Sequence, residues 1–157
     1  MFIRTFALAI FAMSLLAQGA RGDNDKTAAW GQVGGWGIRV DQSLGNGCFA
    51  GQLYEDGTCV RMGFDLKKKS IFIMLGNAAW RSIEAGKVYQ MTFVFDEQQK
   101  YSGEMVGVMM GDKVFLDHSS ISTDFAKDFM ERSTVRVGYR GSQIAHLSLR
   151  NTFAAMG

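Results

Sequence analysis

A chain of 157 residues, 47% hydrophobic, is bounded to one domain of ordinary size with enough apolar residues for its own core. Its formal net charge of +2 comes from the first 22 residues, where Arg4 and Arg21 stand without an acid; the rest carries fifteen charges of each sign. That balance excludes nucleic acid as an expected partner, because neutralising phosphates needs a basic face.

The chain begins with Arg4, then an apolar run from Phe6 to Leu16, then the small residues of AQGARG. This order predicts a cleavable export signal over residues 1–22, followed by a single domain over 23–157. The apolar run is shorter than the roughly 20 residues a membrane-spanning helix needs, and no Cys follows it to carry a lipid. No stable membrane anchor is therefore expected after cleavage, and the predicted location is periplasmic or secreted. The polar segment DNDKTAA reads as a linker. It fails the calcium-loop pattern, with Ala28 at the sixth position and Gly34 at the twelfth.

Alternating apolar and polar residues then recur in short blocks, the pattern of half-buried strands. GGWGIRVD puts Trp36, Ile38 and Val40 on one face. CFAGQLY and TCVRMGFD flank Asp56-Gly57, a two-residue turn signal. That turn sets Phe49, Gly51 and Leu53 opposite Phe64, Met62 and Val60. Lys67, Lys68 and Lys69 form the one positive run, read as a solvated loop that also discourages edge pairing. SIFIML is a continuous apolar strand, and GNAAWRSIEAGK a loop. VYQMTFVF aligns Tyr89, Met91, Phe93 and Phe95. YSGEMVGVMM turns through Gly111-Asp112 into KVFLDH. Ile121, Phe125 and Phe129 at four-residue spacing predict a short helix near residues 122–132, capped by Ser122 with Asp124 in its first turn. TVRVGYR and QIAHLSL form a last hairpin around Gly141-Ser142. The expected fold is all-β, an antiparallel sandwich or barrel of about nine strands with one short helix.

Motifs that carry chemistry are scarce. GNGCFA fits the string of a dinucleotide-binding loop but precedes a strand, so it reads as a tight turn. No phosphate loop, HExxH or GxSxG occurs. Asp117-His118-Ser119-Ser120 brings triad residue types together, but neighbours along a strand point to opposite faces. His146 falls on the outer face of its strand. Eight methionines follow the export segment; Met62, Met91 and Met105 read as core filler rather than copper ligands. No catalytic residue, metal ligand or cofactor is expected. Among the three tryptophans, Trp36 is in phase with core residues. Trp80, in a loop with Asn77 and Arg81, is the expected surface-binding residue. Cys48 and Cys59 leave two alternatives. Export favours a disulfide between them, whereas a regular Asp56-Gly57 hairpin holds them roughly 20 Å apart, far beyond disulfide reach.

The segments GGWGIRVDQSLGNGCFAGQLYEDGT, MLGNAAWRSIEAGKVYQMTFVFD and VRVGYRGSQIAHLSLRNTFAAM resemble small secreted β proteins of alphaproteobacteria. More loosely, the early Trp and Cys, the strands and the closing segment are similar to the invasion-associated locus B group. That resemblance implies an exported β protein linked to host-cell invasion, with no established enzymatic activity. The chain departs from the pattern by lacking a Cys after FAAM, which leaves Cys48 without its implied partner. The expected function is a non-enzymatic envelope or secreted module that binds another protein through loops or a strand edge. Two alternatives are a small-ligand carrier with an apolar cavity, and a hydrolase or redox enzyme using His118 or a free thiol.

Overall fold

The computed structural model describes residues 26–157; the expected export signal lies outside them. Ten strands follow in chain order. They are β1 (Thr27–Val33), β2 (Trp36–Asp41), β3 (Gly47–Leu53), β4 (Cys59–Asp65), β5 (Ser70–Gly76), β6 (Val88–Phe95), β7 (Gln99–Met110), β8 (Lys113–His118), β9 (Thr134–Tyr139) and β10 (Ser142–Ser148). Helix α1 (Thr123–Glu131) precedes β9, and α2 (Thr152–Met156) follows β10. All ten strands join one antiparallel sheet in the order β1-β2-β3-β4-β5-β8-β7-β6-β9-β10. The all-β reading holds, and the nine expected strands are β2 to β10.

The strand missed from sequence is β1. It lies in TAAWGQV, partly inside the segment read as a linker, and it buries almost nothing. Without a buried face there is no selection for alternation, so the period-2 signal is absent.

One core spans the whole sheet. Trp36, Met62 and Leu75 come from its first half, and Met91, Phe95 and Leu147 from its second. Two long-range hydrogen bonds draw the halves together. The Trp36 indole N–H donates to the Arg150 carbonyl (3.0 Å), and the Tyr54 hydroxyl to the Ser148 carbonyl (2.7 Å). Helix α1 fills the space between. Ser122 caps it by accepting from the Phe125 N–H, and Asp124 sits in its first turn, as the sequence predicts. Its Phe125 and Phe129 join Phe93, Phe95, Tyr101 and Trp36 in an aromatic cluster packed mostly edge to face. Asp128 ties the helix down, accepting from the Tyr101 hydroxyl (2.7 Å) and pairing with Arg132 (3.0 Å). Helix α2, which the sequence reading lacked, is anchored by the buried Thr152 hydroxyl, which bonds the carbonyls of Met130 and Leu149.

The β3–β4 register corrects the sequence reading. Leu53 pairs with Cys59, Gly51 with Arg61 and Phe49 with Gly63, one residue away from the expected pairing. The turn has three residues, not two. The Tyr54 N–H donates to the Thr58 carbonyl and the Gly57 N–H to the Tyr54 carbonyl, with Gly57 at φ 82. This is a three-residue loop closed by a glycine in the left-handed region. A one-residue slip exchanges the faces. Ala50 therefore joins Val60 and Met62 in the core, while Leu53, Cys59 and Arg61 lie on the outer face with Phe49, whose ring is buried beneath the Arg61 guanidinium. The last hairpin differs in a similar way: Tyr139 pairs with Ser142 across Arg140-Gly141 rather than turning at Gly141-Ser142. The Gly111-Asp112 turn is as expected, closed by Met110 and Lys113.

Candidate functional site: an outer-face cleft beside Trp80

The outer face of β4, β5 and β8 follows from the registers. Cys59 lies opposite Gly76, Arg61 opposite Met74, and Met74 opposite Asp117. Gly76 has no side chain because the Phe115 ring occupies that space; a Cβ there would lie 2.4 Å from the ring. Beside this glycine the 76–87 loop rises from the sheet, leaving a cleft of about 580 Å³. Leu53, Cys59, Trp80, Ile83 and Phe115 wall it, and Arg81, Lys113 and Asp112 stand at its rim. Its volume falls in the range of small-ligand and side-chain pockets.

All three residues expected to form a binding surface line this cleft, but they differ in what they contribute. Asn77 is a brace. Its amide N–H groups donate to the Asp56 carbonyl (3.1 Å) and the Thr58 hydroxyl (3.0 Å), and its amide oxygen accepts from the Ala79 N–H (2.8 Å). Asp56 in turn accepts from the Thr58 N–H and hydroxyl. The loop is thus bolted to the β3–β4 turn, and Asn77 has little capacity left for a ligand. Trp80 is half-buried, its ring packed against the core while its N–H group on the backbone donates to Asn77. Arg81 is exposed. The far end of the loop is held by Tyr89, whose hydroxyl accepts from the Glu84 N–H and donates to the Ser82 carbonyl.

Leu53, Ile83, Lys113 and Phe115 are among the cleft residues that the sequence did not single out for binding. Their proximity depends on the β3–β4 register and on β8 pairing with β5, across two intervening strands in the sequence. No local signal records either. Leu53 is the clearest case, being 72% exposed at the cleft edge. A large apolar side chain so exposed beside a concave apolar surface is informative where a lone exposed leucine is not.

Cys59 and Cys48 are both free thiols. Cys48 shares the inward phase of Ala50 and is exposed near the strand end; Cys59 is outward, paired with Leu53 five residues further along β3. At ~3.3 Å per residue these positions are roughly 16 Å apart, beyond disulfide reach. Of the two alternatives left by the sequence, the structure has the unpaired thiols. Burial pushes the Cys59 thiol up, an effect partly offset by the Arg61 and Lys113 charges. A raised thiol is protonated near neutrality and a poor nucleophile.

The triad types of 117–120 divide across the sheet. Asp117 lines a smaller outer groove of about 210 Å³ with Phe49, Arg61, Phe72 and Met74. Burial there pushes its carboxyl up, against the pull of Lys68 and His118. His118 lines a different hollow of about 260 Å³, with Tyr101, Gly103, Ile121 and Phe125. His146 is exposed on β10. Met62, Met91 and Met105 are buried core residues, and no group of three His, Cys, Asp or Glu among the described residues is placed to hold a metal ion.

Comparison with protein-family models, curated proteins and solved structures finds no match for this chain.

Proposed function

We infer that this chain is an exported, non-enzymatic binding module that docks an apolar side chain of a partner protein in the cleft beside Trp80. The cleft itself carries the reading. Its walls are apolar, its one amide is consumed internally, and its thiol is held in the protonated form. Such walls suit burial of an aromatic or branched anchor, the kind of contact that dominates protein interfaces. Arg81 and Lys113 outnumber Asp112 at the rim, and this net positive charge favours an acidic residue flanking that anchor. The periplasmic or secreted location rests on the layout of residues 1–22, and the resemblance to the invasion-associated locus B group agrees with it.

A small amphipathic ligand is the second reading, favoured by the cleft volume. It would occupy this surface site, because the interior that a carrier cavity would need is filled by Trp36, Phe95, Phe129 and Met62.

Peptide-display selection followed by amide and indole shift mapping tests the first reading. Selected peptides are expected to share an apolar anchor beside an acid, to shift the Trp80 indole signal, and to be lost with Trp80→Ala and Leu53→Asp. Binders indifferent to both substitutions would sink the proposal.

A further inference from the structure

The cleft beside Trp80 has a neighbour on its own face. Cys59, Gly76 and Phe115, on β4, β5 and β8, form one row of its wall. Two residues along each of these strands, Arg61, Met74 and Asp117 form the next row and line the outer groove of about 210 Å³. Residues two apart on a strand share a face and stand roughly 6.6 Å from each other. Cleft and groove are therefore adjacent hollows. The groove is smaller than the ~300 Å³ at which pockets for whole ligands begin, and suits a single side chain.

Its floor is apolar: Phe49 and Phe72 are buried there, apart from the main core cluster, and Met74 and Val108 also line it. Three carboxylates and two cations stand around that floor, and all but one are engaged. Asp41 accepts from the Ser43 N–H and hydroxyl. Asp65 accepts from the N–H groups of Lys67 and Lys68 (3.0 Å each) and draws the Lys68 ammonium to 3.7 Å. The Arg61 guanidinium lies over the Phe49 ring, 5.0 Å from its centre. Half-buried Asp117 has no hydrogen bond or ion pair among the described residues. Burial pushes its carboxyl up against the pull of Lys68 and His118, so a cation seated against it would offset the cost of keeping it ionised.

We propose that cleft and groove are two subsites of one docking site, and that the groove takes a lysine or arginine of the partner segment whose apolar anchor fills the cleft. This rests on the reading of the cleft as a docking site. Lysine and arginine join an apolar stem to a charged head, which matches an apolar floor beside the Asp117 carboxylate. The rows set the spacing. An extended segment running along the strands turns alternate side chains to the sheet, ~6.6 Å apart, so the base stands two residues from the anchor. Strand β8 sets the order, because Lys113, Phe115 and Asp117 put the rim cation and the groove carboxylate on opposite sides of the cleft wall. The partner therefore reads acid, anchor, spacer, base, in one chain direction or the other.

Titration of isotope-labelled protein, recovered from expression of the whole sequence, tests this with two synthetic hexapeptides. They are acetyl-Ser-Glu-Phe-Ser-Lys-Ser-amide and its reversal, acetyl-Ser-Lys-Ser-Phe-Glu-Ser-amide, each also made with norleucine for lysine. Norleucine keeps the stem and drops the charge. In one direction the lysine peptide should shift the Trp80 indole together with the Met74 and Asp117 amides. Its Kd should be about tenfold below that of the norleucine peptide, the size of one charge-assisted hydrogen bond. Moving lysine next to phenylalanine should remove the gain, and Asp117→Asn should make the lysine and norleucine peptides bind alike. Equal binding of the two to the unaltered protein, with Trp80 shifted, overturns the groove assignment and leaves the cleft reading standing. A gain that survives Asp117→Asn, or that persists with lysine beside the anchor, is diffuse attraction and also overturns it. Groove shifts without a Trp80 shift, or no binding by any peptide, overturn the shared site together with the cleft reading. The peptide comparisons leave the protein unaltered, so they decide the matter even if the variant fails to fold.

Discussion

Replacing Asn77 by Ala removes three hydrogen bonds at once, two donated to the β3–β4 turn and one accepted from Ala79. A net hydrogen bond contributes about 0.5–1.5 kcal/mol. The bonds to Asp56 and Ala79 are exposed and fall at the low end, while the bond to Thr58 meets a fully buried residue. Thr58 keeps its hydroxyl bond to Asp56, so its oxygen is not orphaned. The sum is about 2 kcal/mol, close to a thirtyfold change in the unfolding constant and a Tm decrease of about 6–8 °C. Urea unfolding measures the global loss, and amide exchange across residues 78–83 reports whether the loop has come away from the turn. The expected pattern is loss of protection in the loop exceeding that in β6 and β9. A stability change below about 0.5 kcal/mol with unaltered loop exchange would refute the brace, since surface substitutions remote from structural bonds change stability by no more than that.

Phe129→Ala should be costlier, about 3–5 kcal/mol by urea unfolding, because the ring is buried and contacts Trp36, Phe95 and Phe125; a loss under about 1 kcal/mol would mean that α1 does not plug the core. Asp96 is pushed up by burial but held below its usual range overall by the Ser133 and Thr134 N–H groups, the Thr134 hydroxyl and Arg132. A depressed folded value stabilises the protein above the unfolded carboxyl value of about 3.9, and this is lost as pH falls through the lower folded value. Asp96→Asn should therefore flatten the fall in stability between neutral pH and acid, and an unchanged profile would remove the assignment. Thiol alkylation of the native protein, read by intact mass, should modify exposed Cys48 first and half-buried Cys59 more slowly, without reduction. Alkylation that requires reduction would show a bridge and contradict the β3–β4 register.

Most of the sheet was legible because most strands bury one face. Tyr89, Met91, Phe93 and Phe95 alternate and are all buried. Helix α1 was legible for a related reason: Phe125 and Phe129 share a face, and Ser122 and Asp124 mark its start. The cleft was half legible. A tryptophan in a polar loop pointed to Trp80, Asn77 and Arg81, but composition cannot separate a residue that braces a loop from one that meets a ligand. Asn77 and Arg81 look equally polar in the sequence, and only the hydrogen bonds distinguish them.

Local chemistry by itself determined the nine strands β2 to β10, the capped helix, the Gly111-Asp112 turn and the fate of Met62, Met91 and Met105 as core. Each depends on periodicity, propensity or backbone preference within a few residues. Tertiary structure alone decided the rest. Asp56-Gly57 permits a two- or a three-residue turn, and the choice sets which face of β3 shares the core with Val60 and Met62; packing of Ala50 against them accompanies the longer one. That choice moves Leu53 outside, beside Cys59, and in either register the two thiols stay beyond disulfide reach. Pairing of β8 with β5 brings Phe115 over Gly76 and so forms the cleft. The strand β1 leaves no mark in the pattern because it buries no face, and its existence rests on a ladder with β2. Register and strand order are long-range choices among locally equivalent pairings, and the shared core is what breaks the tie.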